Sequence, residues 1–226
     1  MNNISILYED NHLLVVVKPP NILSQGDRTG DRDMLTMLKE YIKVTYNKPG
    51  NVYLGLVHRL DRPVGGVMVF AKTSKAASRL SEQVRHNQFG KEYLAVVWGH
   101  PSRLEGSLRD YLVKDRRSNM VKVTHPQEPG AKEAWLDYKV VDMAKEWSLL
   151  RIHLHTGRAH QIRVQLSTAG YPIVGDQRYG LRGEPRMQIG LWAESLSLVH
   201  PTTKEVLKFT AQPPNKIPWD VFELKA

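Results

Sequence analysis

The stretch VYLGLVHRLDRPVGGVMVFA, residues 52–71, carries the pattern that decides the fold of this chain. Apolar residues dominate its two ends, 52–57 and 67–71, and a short charged segment separates them. This pattern predicts two strands joined by a turn. The Gly65-Gly66 pair at the end of the turn lets another backbone or a flat ligand come close, because glycine has no side chain.

The charged turn holds one carboxylate, Asp61, between Arg59 and Arg62. The two positive charges favour the ionised form of the carboxylate. An ionised aspartate can act as a nucleophile without a helper base. His58 precedes these residues, and we expect it to be structural, with a hydrogen bond that shapes the turn. A charged surface turn would also explain the segment when it is taken alone.

Outside this stretch, alternating and helical patterns predict the remaining elements. The predicted strands are 4–8, 13–17, 91–98, 106–113, 120–123, 134–141, 147–154, 191–198 and 206–210. The predicted helices are 33–44 with Asp33 as cap, one from Thr73 or Ser74 to about His86, and 159–168. Strands with few helices and no series of βαβ units indicate an α+β protein, which we expect to be a single domain over residues 1–226.

Composition narrows the possible functions. The formal net charge is +9, which indicates a polyanionic partner, and RNA, DNA and an anionic membrane surface all qualify. The chain has no cysteine, which excludes thiolate catalysis and agrees with a reducing compartment. The first residues lack the basic start and the long apolar core that are typical of a signal peptide, and the longest apolar run, Leu13–Val17, is far shorter than a membrane span of about 20 residues. We therefore expect a cytoplasmic protein without a membrane partner.

Three further segments carry recognisable patterns. KEYLAVVWG at 91–99 reads as a strand, HTGRAHQIR at 155–163 as a turn that enters a helix, and GYPIVGD at 170–176 follows that helix. Together with the Asp61 turn, and in this order, they resemble the RluA-like family of pseudouridine synthases. The resemblance extends from about Tyr8 to about Pro214, and its most specific parts are the Asp61 turn and the Thr-Gly-Arg-x-His-Gln-Ile-Arg segment.

The resemblance implies a fold and an activity. The fold would be a curved, mostly antiparallel mixed sheet flanked by a few helices, with the active cleft across its middle and no separate N-terminal RNA-binding module. The activity would be isomerisation of uridine to pseudouridine in structured RNA, with Asp61 as nucleophile. The chain has Val64-Gly65-Gly66 where the family usually has Thr-Ser-Gly, so two hydroxyl groups near Asp61 are missing.

This isomerisation breaks the N1–C1′ bond of uridine and forms a bond from C1′ to C5. There is no redox change and no net hydrolysis, so we expect neither a cofactor nor a metal. A carboxylate suits the task because it can bond reversibly to sugar or base, or stabilise positive charge at C1′. Attack by Asp61 on the sugar, attack on the base, and removal of the 2′ proton all remain open.

Arg163 is the candidate partner of Asp61. On a helix from Ala159, the residues His160, Arg163 and Ser167 would share one face, which would offer Arg163 to a cleft. Arg158 competes for this role, since it lies at the helix entrance, where phosphates also bind. We assign Arg158 and His160 to substrate binding.

Three other side chains complete the predicted site. Tyr93 lies on the same side of its strand as Lys91 and Ala95, and its ring could stack on a uracil flipped out of the RNA. By the pattern of the family, Arg59 would fill the gap that the flipped base leaves or stack on neighbouring bases. Arg62 could contact a phosphate.

Two alternatives accompany this interpretation. A metal-dependent hydrolase could use His153, His155 and His160, although no carboxylate follows at matching spacing. A non-catalytic RNA-binding module would also explain the charge and the tyrosines, but it gains nothing from the anion of Asp61 in a basic groove. Ribosomal RNA and transfer RNA are equally compatible targets, and a monomer without an obligatory protein partner satisfies every pattern.

Overall fold

The computed structural model describes residues 4–115, 117–181 and 187–224. Within these ranges the chain forms three helices and eleven strands, and eight pairs of neighbouring strands are antiparallel. The predicted α+β class is confirmed. None of the helices in these ranges is long and apolar enough to cross a membrane.

The elements follow the predicted order closely. The strands are β1 (Ser5–Glu9), β2 (Leu13–Lys18), β3 (Gly55–Leu56), β4 (Gly65–Ala71), β5 (Gly90–Trp98), β6 (Glu105–Asp115), β7 (Met120–Thr124), β8 (Lys132–Ala144), β9 (Trp147–Leu154), β10 (Leu191–Val199) and β11 (Val206–Thr210). The helices are α1 (Met34–Thr45), α2 (Ser74–Arg85) and α3 (Gln161–Thr168).

The chain divides into two compact units, Met1–Gly90 with Ala193–Ala211, and Lys91–Trp192 with Gln212–Ala226. The prediction of a single domain over residues 1–226 stays a prediction. In the first unit the strand order is β1-β2-β4-β10, with β3 paired to β4 and β11 paired to β10. In the second unit the order is β5-β9-β8-β6-β7.

The core of the first unit explains the continuous apolar run of β4. Every residue of β4 is buried, and Val67 and Val69 pack with Leu13 of β2 and Leu80 of α2. Burial of each such side chain contributes roughly 1.5–3 kcal/mol. This packing holds the strand that directly follows the Asp61 turn.

Both helices of the first unit begin where the sequence predicts. The side chain of Asp33 accepts a hydrogen bond of 3.0 Å from the backbone N–H of Thr36. The hydroxyl of Thr73 accepts one of 3.2 Å from the N–H of Ala76, so Thr73 is the cap of α2. Each cap satisfies an N–H group that would otherwise lack a partner at the helix start.

In the second unit, α3 contacts β6 and β7. Val164 of α3 packs with Leu112 of β6, Val121 of β7 and Ala134 of β8. The pairing of the strands places Tyr93 of β5 opposite Ile152 of β9.

The start and the surroundings of α3 differ from the prediction. The helix begins at Gln161 rather than Ala159, and His160 has a left-handed backbone with φ of 52°. All residues from Gln161 to Leu166 are buried. The helix therefore begins two residues later than expected, because the chain turns at His160. His160, Arg163 and Ser167 nevertheless lie on one side, as the sequence predicts, since all three contact Tyr179.

Hydrogen bonds to one side chain account for this turn. Oε1 of Gln161 accepts hydrogen bonds of 2.9 Å from the hydroxyl of Thr156 and 2.9 Å from the N–H of Arg158. Nε2 of Gln161 donates to the backbone oxygen of Trp135 at 3.1 Å. Gln161 thus attaches the turn before α3 to strand β8.

Candidate active site

Asp61 lies in the turn that leads into β4. The N–H of Val64 donates to the backbone oxygen of Asp61 at 3.0 Å, which closes the turn. Asp61 is half-buried. At Gly66, with φ of 124°, a Cβ atom would collide with the backbone oxygen of Ala193 in β10. Gly66 therefore allows another backbone to come close, as the sequence predicts for the glycine pair.

A buried serine holds the residue before Asp61. The hydroxyl of Ser24 donates to the backbone oxygen of Leu60 at 2.8 Å and accepts from the N–H of Leu60 at 3.1 Å. Ser24 is 5% exposed, so these bonds are shielded from water. Both polar groups of the Leu60 backbone are thus bound to one side chain.

A buried lysine holds the residue after Asp61. The ammonium of Lys18 donates to the backbone oxygens of Pro19 at 2.9 Å, Ile22 at 2.6 Å and Arg62 at 3.1 Å. An ammonium has three N–H groups, and three carbonyls accept from this one. Lys18 therefore connects the end of β2 to the Asp61 turn.

The charge of Lys18 is sensitive to its surroundings. Burial lowers the pKa of Lys18 to about 7; the nearby charge of Asp61 acts to raise this pKa and that of Arg62 to lower it. The side chain is fully buried. Near neutral pH the ammonium thus loses its proton far more readily than an exposed lysine does.

His58 has the structural role that the sequence predicts. Its Nε2 accepts a hydrogen bond of 3.0 Å from the N–H of Val69 in β4, so this nitrogen carries no proton. The ring also makes an edge contact with Phe89, with centroids 6.0 Å apart. His58 therefore attaches the chain before Asp61 to β4.

The two arginines that flank Asp61 are both exposed. The guanidinium of Arg62 lies 2.7 Å from the carboxylate of Asp31, and both side chains are about half exposed. Gln25, Leu56, Val57, His58 and Arg59 line an open depression of about 210 Å³. Arg59 is thus at a surface that a large ligand can reach.

Arg163 makes a bidentate ion pair inside the second unit. Its Nε donates to one carboxylate oxygen of Asp176 at 2.8 Å, and its Nη2 donates to the other at 2.7 Å. The side chains are 4% and 0% exposed. Asp61 and Arg163 belong to different units, and their pairing stays a prediction.

Asp176 and Tyr179 surround the guanidinium of Arg163. Burial by itself raises the pKa of Asp176, but Arg163 and the N–H groups of Arg178 and Tyr179 outweigh burial and leave the pKa below its ordinary value. Burial raises the pKa of Tyr179. The Tyr179 ring centroid lies 5.2 Å from Cζ of Arg163, and its hydroxyl accepts from the N–H of Val121 at 2.8 Å.

The other predicted residues of the second unit lie close to α3 in sequence or on β5. Arg158 is exposed, and its Nε donates to the backbone oxygen of Glu133 at 2.8 Å. Nδ1 of His160 lies 2.8 Å from the hydroxyl of Tyr179. Tyr93 is half-buried. The predicted roles of these three residues in substrate binding and catalysis stay predictions.

The histidines of the hydrolase alternative have other neighbours. Nε2 of His155 lies 2.6 Å from the carboxylate of Asp137, and the ring of His155 stacks on Trp135 at 3.7 Å. Among residues 4–115, 117–181 and 187–224 no group of three metal-binding side chains comes together.

Sequence reasoning missed three residues that position the site, namely Lys18, Ser24 and Asp176. A signal existed for two of them. Lys18 ends an otherwise apolar strand, LLVVVK, which is an unusual place for a charge. Asp176 ends the GYPIVGD segment that supports the family resemblance. Ser24 lies in a polar loop and carries no comparable signal.

Comparison with known proteins identifies the family of this chain. Residues 12–168 match the RNA pseudouridylate synthase family. The chain belongs to this family. The chain is 37% identical over 213 residues to the dual-specificity RNA pseudouridine synthase RluA of Salmonella typhi, with 90% of each chain covered. The expected RluA-like family is therefore confirmed, and it is a family of isomerases.

Other relatives extend the comparison. The chain is 33% identical over 208 residues to the ribosomal large subunit pseudouridine synthase D of Salmonella typhimurium, with 92% of this chain and 61% of that protein covered. The chain spans 61–67% of the length of several relatives. The structure of human RNA pseudouridylate synthase domain containing 4 has a TM-score of 0.78 at 24% identity, covers 93% of this chain and 88% of its own, and supports the fold.

Proposed function

We propose that this protein isomerises specific uridines of ribosomal or transfer RNA to pseudouridine, with Asp61 as the nucleophile and without a cofactor. One observation carries the assignment of Asp61: buried side chains anchor the backbone on both sides of it. Ser24 binds Leu60, and Lys18 binds the oxygen of Arg62. A nucleophile gains from such preorganisation, because a fixed position makes its attack effectively intramolecular.

The reaction uses the carboxylate of Asp61 in one of three ways. It adds to C1′, adds to the base, or takes the 2′ proton, and in each case the N1–C1′ bond breaks. The uracil then rotates, C5 bonds to C1′, the hydrogen on C5 leaves as a proton, and N1 gains a proton, so atoms and electrons balance. A 2′ proton that Asp61 takes is returned to C2′ in the same sequence. The carboxylate is released at the end, and no redox partner is needed.

The remaining residues bind and orient the RNA. Tyr93 stacks on the flipped uracil, and Arg163 supplies a positive charge next to the reacting groups. Arg59 occupies the space that the flipped base leaves. Arg62, Arg158 and His160 contact the RNA around the target. Arg62 would then exchange its exposed partner Asp31 for a phosphate, at little cost because a surface ion pair contributes only about 0–1 kcal/mol.

The net charge of the chain and the names of its relatives support the proposed class of RNA. The net charge of +9 suits a polyanion. RluA is named a dual-specificity RNA pseudouridine synthase, and synthase D is named a ribosomal large subunit pseudouridine synthase. We therefore propose ribosomal or transfer RNA as the substrate of this chain. We also expect a cytoplasmic monomer that needs no protein partner.

Release of tritium from RNA labelled at C5 of uridine tests the proposal. Formation of the bond at C5 expels the label, so the assay reports the chemistry at any target site. Wild type is expected to release tritium from unmodified ribosomal or transfer RNA transcripts. Asp61→Ala and Asp61→Asn are expected to abolish release while folding and RNA binding persist. Asp27→Asn, at an exposed aspartate of the same unit, is the matched control and is expected to retain activity.

Two results would contradict the proposal. Turnover of Asp61→Asn near that of wild type would remove Asp61 as the nucleophile. An absence of release by wild type from every RNA tested, with RNA binding intact, would favour a non-catalytic RNA-binding module.

A further inference from the structure

Lys91 places a positive charge at a mostly buried position of the second unit. The residue is 9% exposed, and burial lowers the pKa of Lys91. A positive charge at such a position is unfavourable for folding unless an acceptor or an opposite charge compensates it. A lysine at this position therefore suggests a role other than packing.

The position of Lys91 relative to Tyr93 suggests a reason. Side chains alternate along a strand, so Lys91 and Tyr93 extend from the same side of β5, about 7 Å apart along it. In the proposed function Tyr93 stacks on the target uracil. Lys91 therefore extends towards the same region as the residue that we assign to the target uracil.

Gly157 leaves space next to the ammonium. A Cβ atom on Gly157 would lie 3.2 Å from Nζ of Lys91. Gly157 is exposed, and it is not among the glycines with positive φ, so its backbone does not require glycine. Because Gly157 has no side chain, it does not cover the ammonium of Lys91.

We propose that Lys91 is a substrate-binding residue whose ammonium contacts a phosphate oxygen of the RNA backbone beside the target uridine. The identity of this ligand rests on the proposed function. An anionic phosphate supplies both a hydrogen-bond acceptor and a compensating charge for the ammonium, whereas a neutral carbonyl supplies only the acceptor. The exposed Arg158, next to Gly157 in the same turn, adds positive charge to this region.

Salt-dependent binding of RNA tests this role. The probe is a set of unmodified transfer and ribosomal RNA transcripts, and binding is measured in the Asp61→Asn background so that no turnover occurs. Lys91→Met keeps the length of the side chain and removes the charge. Lys139→Met is the matched control, because Lys139 is exposed in the same unit. Lys139 pairs with Arg151 of β9, whereas Tyr93 pairs with the next residue of that strand, Ile152.

Lys91→Met is expected to weaken binding about tenfold or more and to reduce the slope of log K against log salt by about 0.7–0.9, the loss of one phosphate contact. Lys139→Met is expected to bind within about twofold of its parent, since it removes only a remote exposed charge. The midpoint of thermal unfolding of Lys91→Met is expected to equal or exceed that of the parent, because the charge of a mostly buried side chain is replaced by an apolar group.

A second variant tests the geometry. Gly157→Ala places a methyl group against Nζ of Lys91, and we expect weaker RNA binding with an unchanged fold. In the Lys91→Met background the same substitution is expected to have no further effect on binding. A purely structural role for Gly157 would instead give the same loss in both backgrounds.

The outcomes separate this role from the proposed function. If wild type releases tritium while Lys91→Met binds with the affinity and salt slope of Lys139→Met, the role of Lys91 is wrong and the proposed function stands. If wild type releases no tritium from any RNA, the proposed function is wrong. The role of Lys91 is supported if Lys91→Met, but not Lys139→Met, loses affinity and has a salt slope reduced by about one phosphate contact.

Discussion

The turn around Asp61 and the segment around Arg163 fix their charged residues in different ways. In the turn, the anchors Ser24 and Lys18 bind main-chain groups of Leu60 and Arg62. At Arg163 the anchor Asp176 binds the side chain itself, through two hydrogen bonds in a buried setting.

The difference agrees with the two proposed roles. A nucleophile must form and break bonds, and Ser24 and Lys18 fix the position of Asp61 through the main chain of its neighbours. An arginine that provides charge keeps the same chemical form throughout, so its guanidinium can stay bound to a carboxylate. Asp176 then acts as a positioning residue for Arg163. Substitutions at each anchor can test this contrast.

Loss of Asp176 is expected to have the largest effect. Asp176→Ala leaves the buried guanidinium of Arg163 without its counterion, and we expect the free energy of unfolding to fall by about 3–5 kcal/mol. Asp31→Ala removes the carboxylate of the exposed pair with Arg62 and is expected to cost less than about 1 kcal/mol. Urea denaturation of both variants measures the difference. Equal losses would show that burial of the Arg163 pair does not matter.

Loss of Arg163 is expected to affect turnover more than binding. Arg163→Ala is expected to lower kcat by about a hundred- to a thousandfold, the size of effect seen when one electrostatic contact to the transition state is removed. Arg158→Ala is expected to raise KM more than it lowers kcat, as a phosphate contact would. Single-turnover tritium release measures both, and Arg163→Lys serves if Arg163→Ala does not fold.

The outcome at these two arginines also decides their assignment. A change in kcat under about threefold for Arg163→Ala, together with a large loss for Arg158→Ala, would transfer the electrostatic role to Arg158.

The smallest expected effect is a pH dependence at Lys18. The pKa of Lys18 is about 7 in the folded protein, against an ordinary value of 10.5. Between these values the unfolded state binds more protons than the folded state does, so this group makes the free energy of unfolding rise with pH. The gain is at most about 1.4 kcal/mol per pH unit.

Lys18→Met removes this titration. The stability of wild type relative to Lys18→Met is therefore expected to increase from pH 7 to about pH 9, and below pH 7 the difference is expected to be constant. Urea denaturation at a series of pH values measures it. Parallel stability curves for the two proteins over this range would show that the Lys18 ammonium does not have the lowered pKa.

Local patterns account for much of the fold. The alternation of apolar residues predicts β9 at 147–154 and β11 at 206–210 with the observed bounds, and Asp33 and Thr73 cap their helices as expected. Helix α3 is the exception. Its spacing predicts an amphipathic helix from Ala159. Hydrogen bonds of Gln161 and the left-handed turn at His160 delay its start, and its first six residues are all buried.

The sequence by itself determined the α+β class, the order of the elements, the family and the prominence of Asp61. These properties depend on the periodicity of apolar residues and on hydrogen bonds between residues that are close in the sequence. Only the tertiary structure decided that Lys18 binds Arg62, 44 residues away, that Ser24 binds Leu60, 36 residues away, and that Arg163 pairs with Asp176. Such contacts form because packing removes water from charged groups, and sequence spacing does not encode which distant partner then replaces that water.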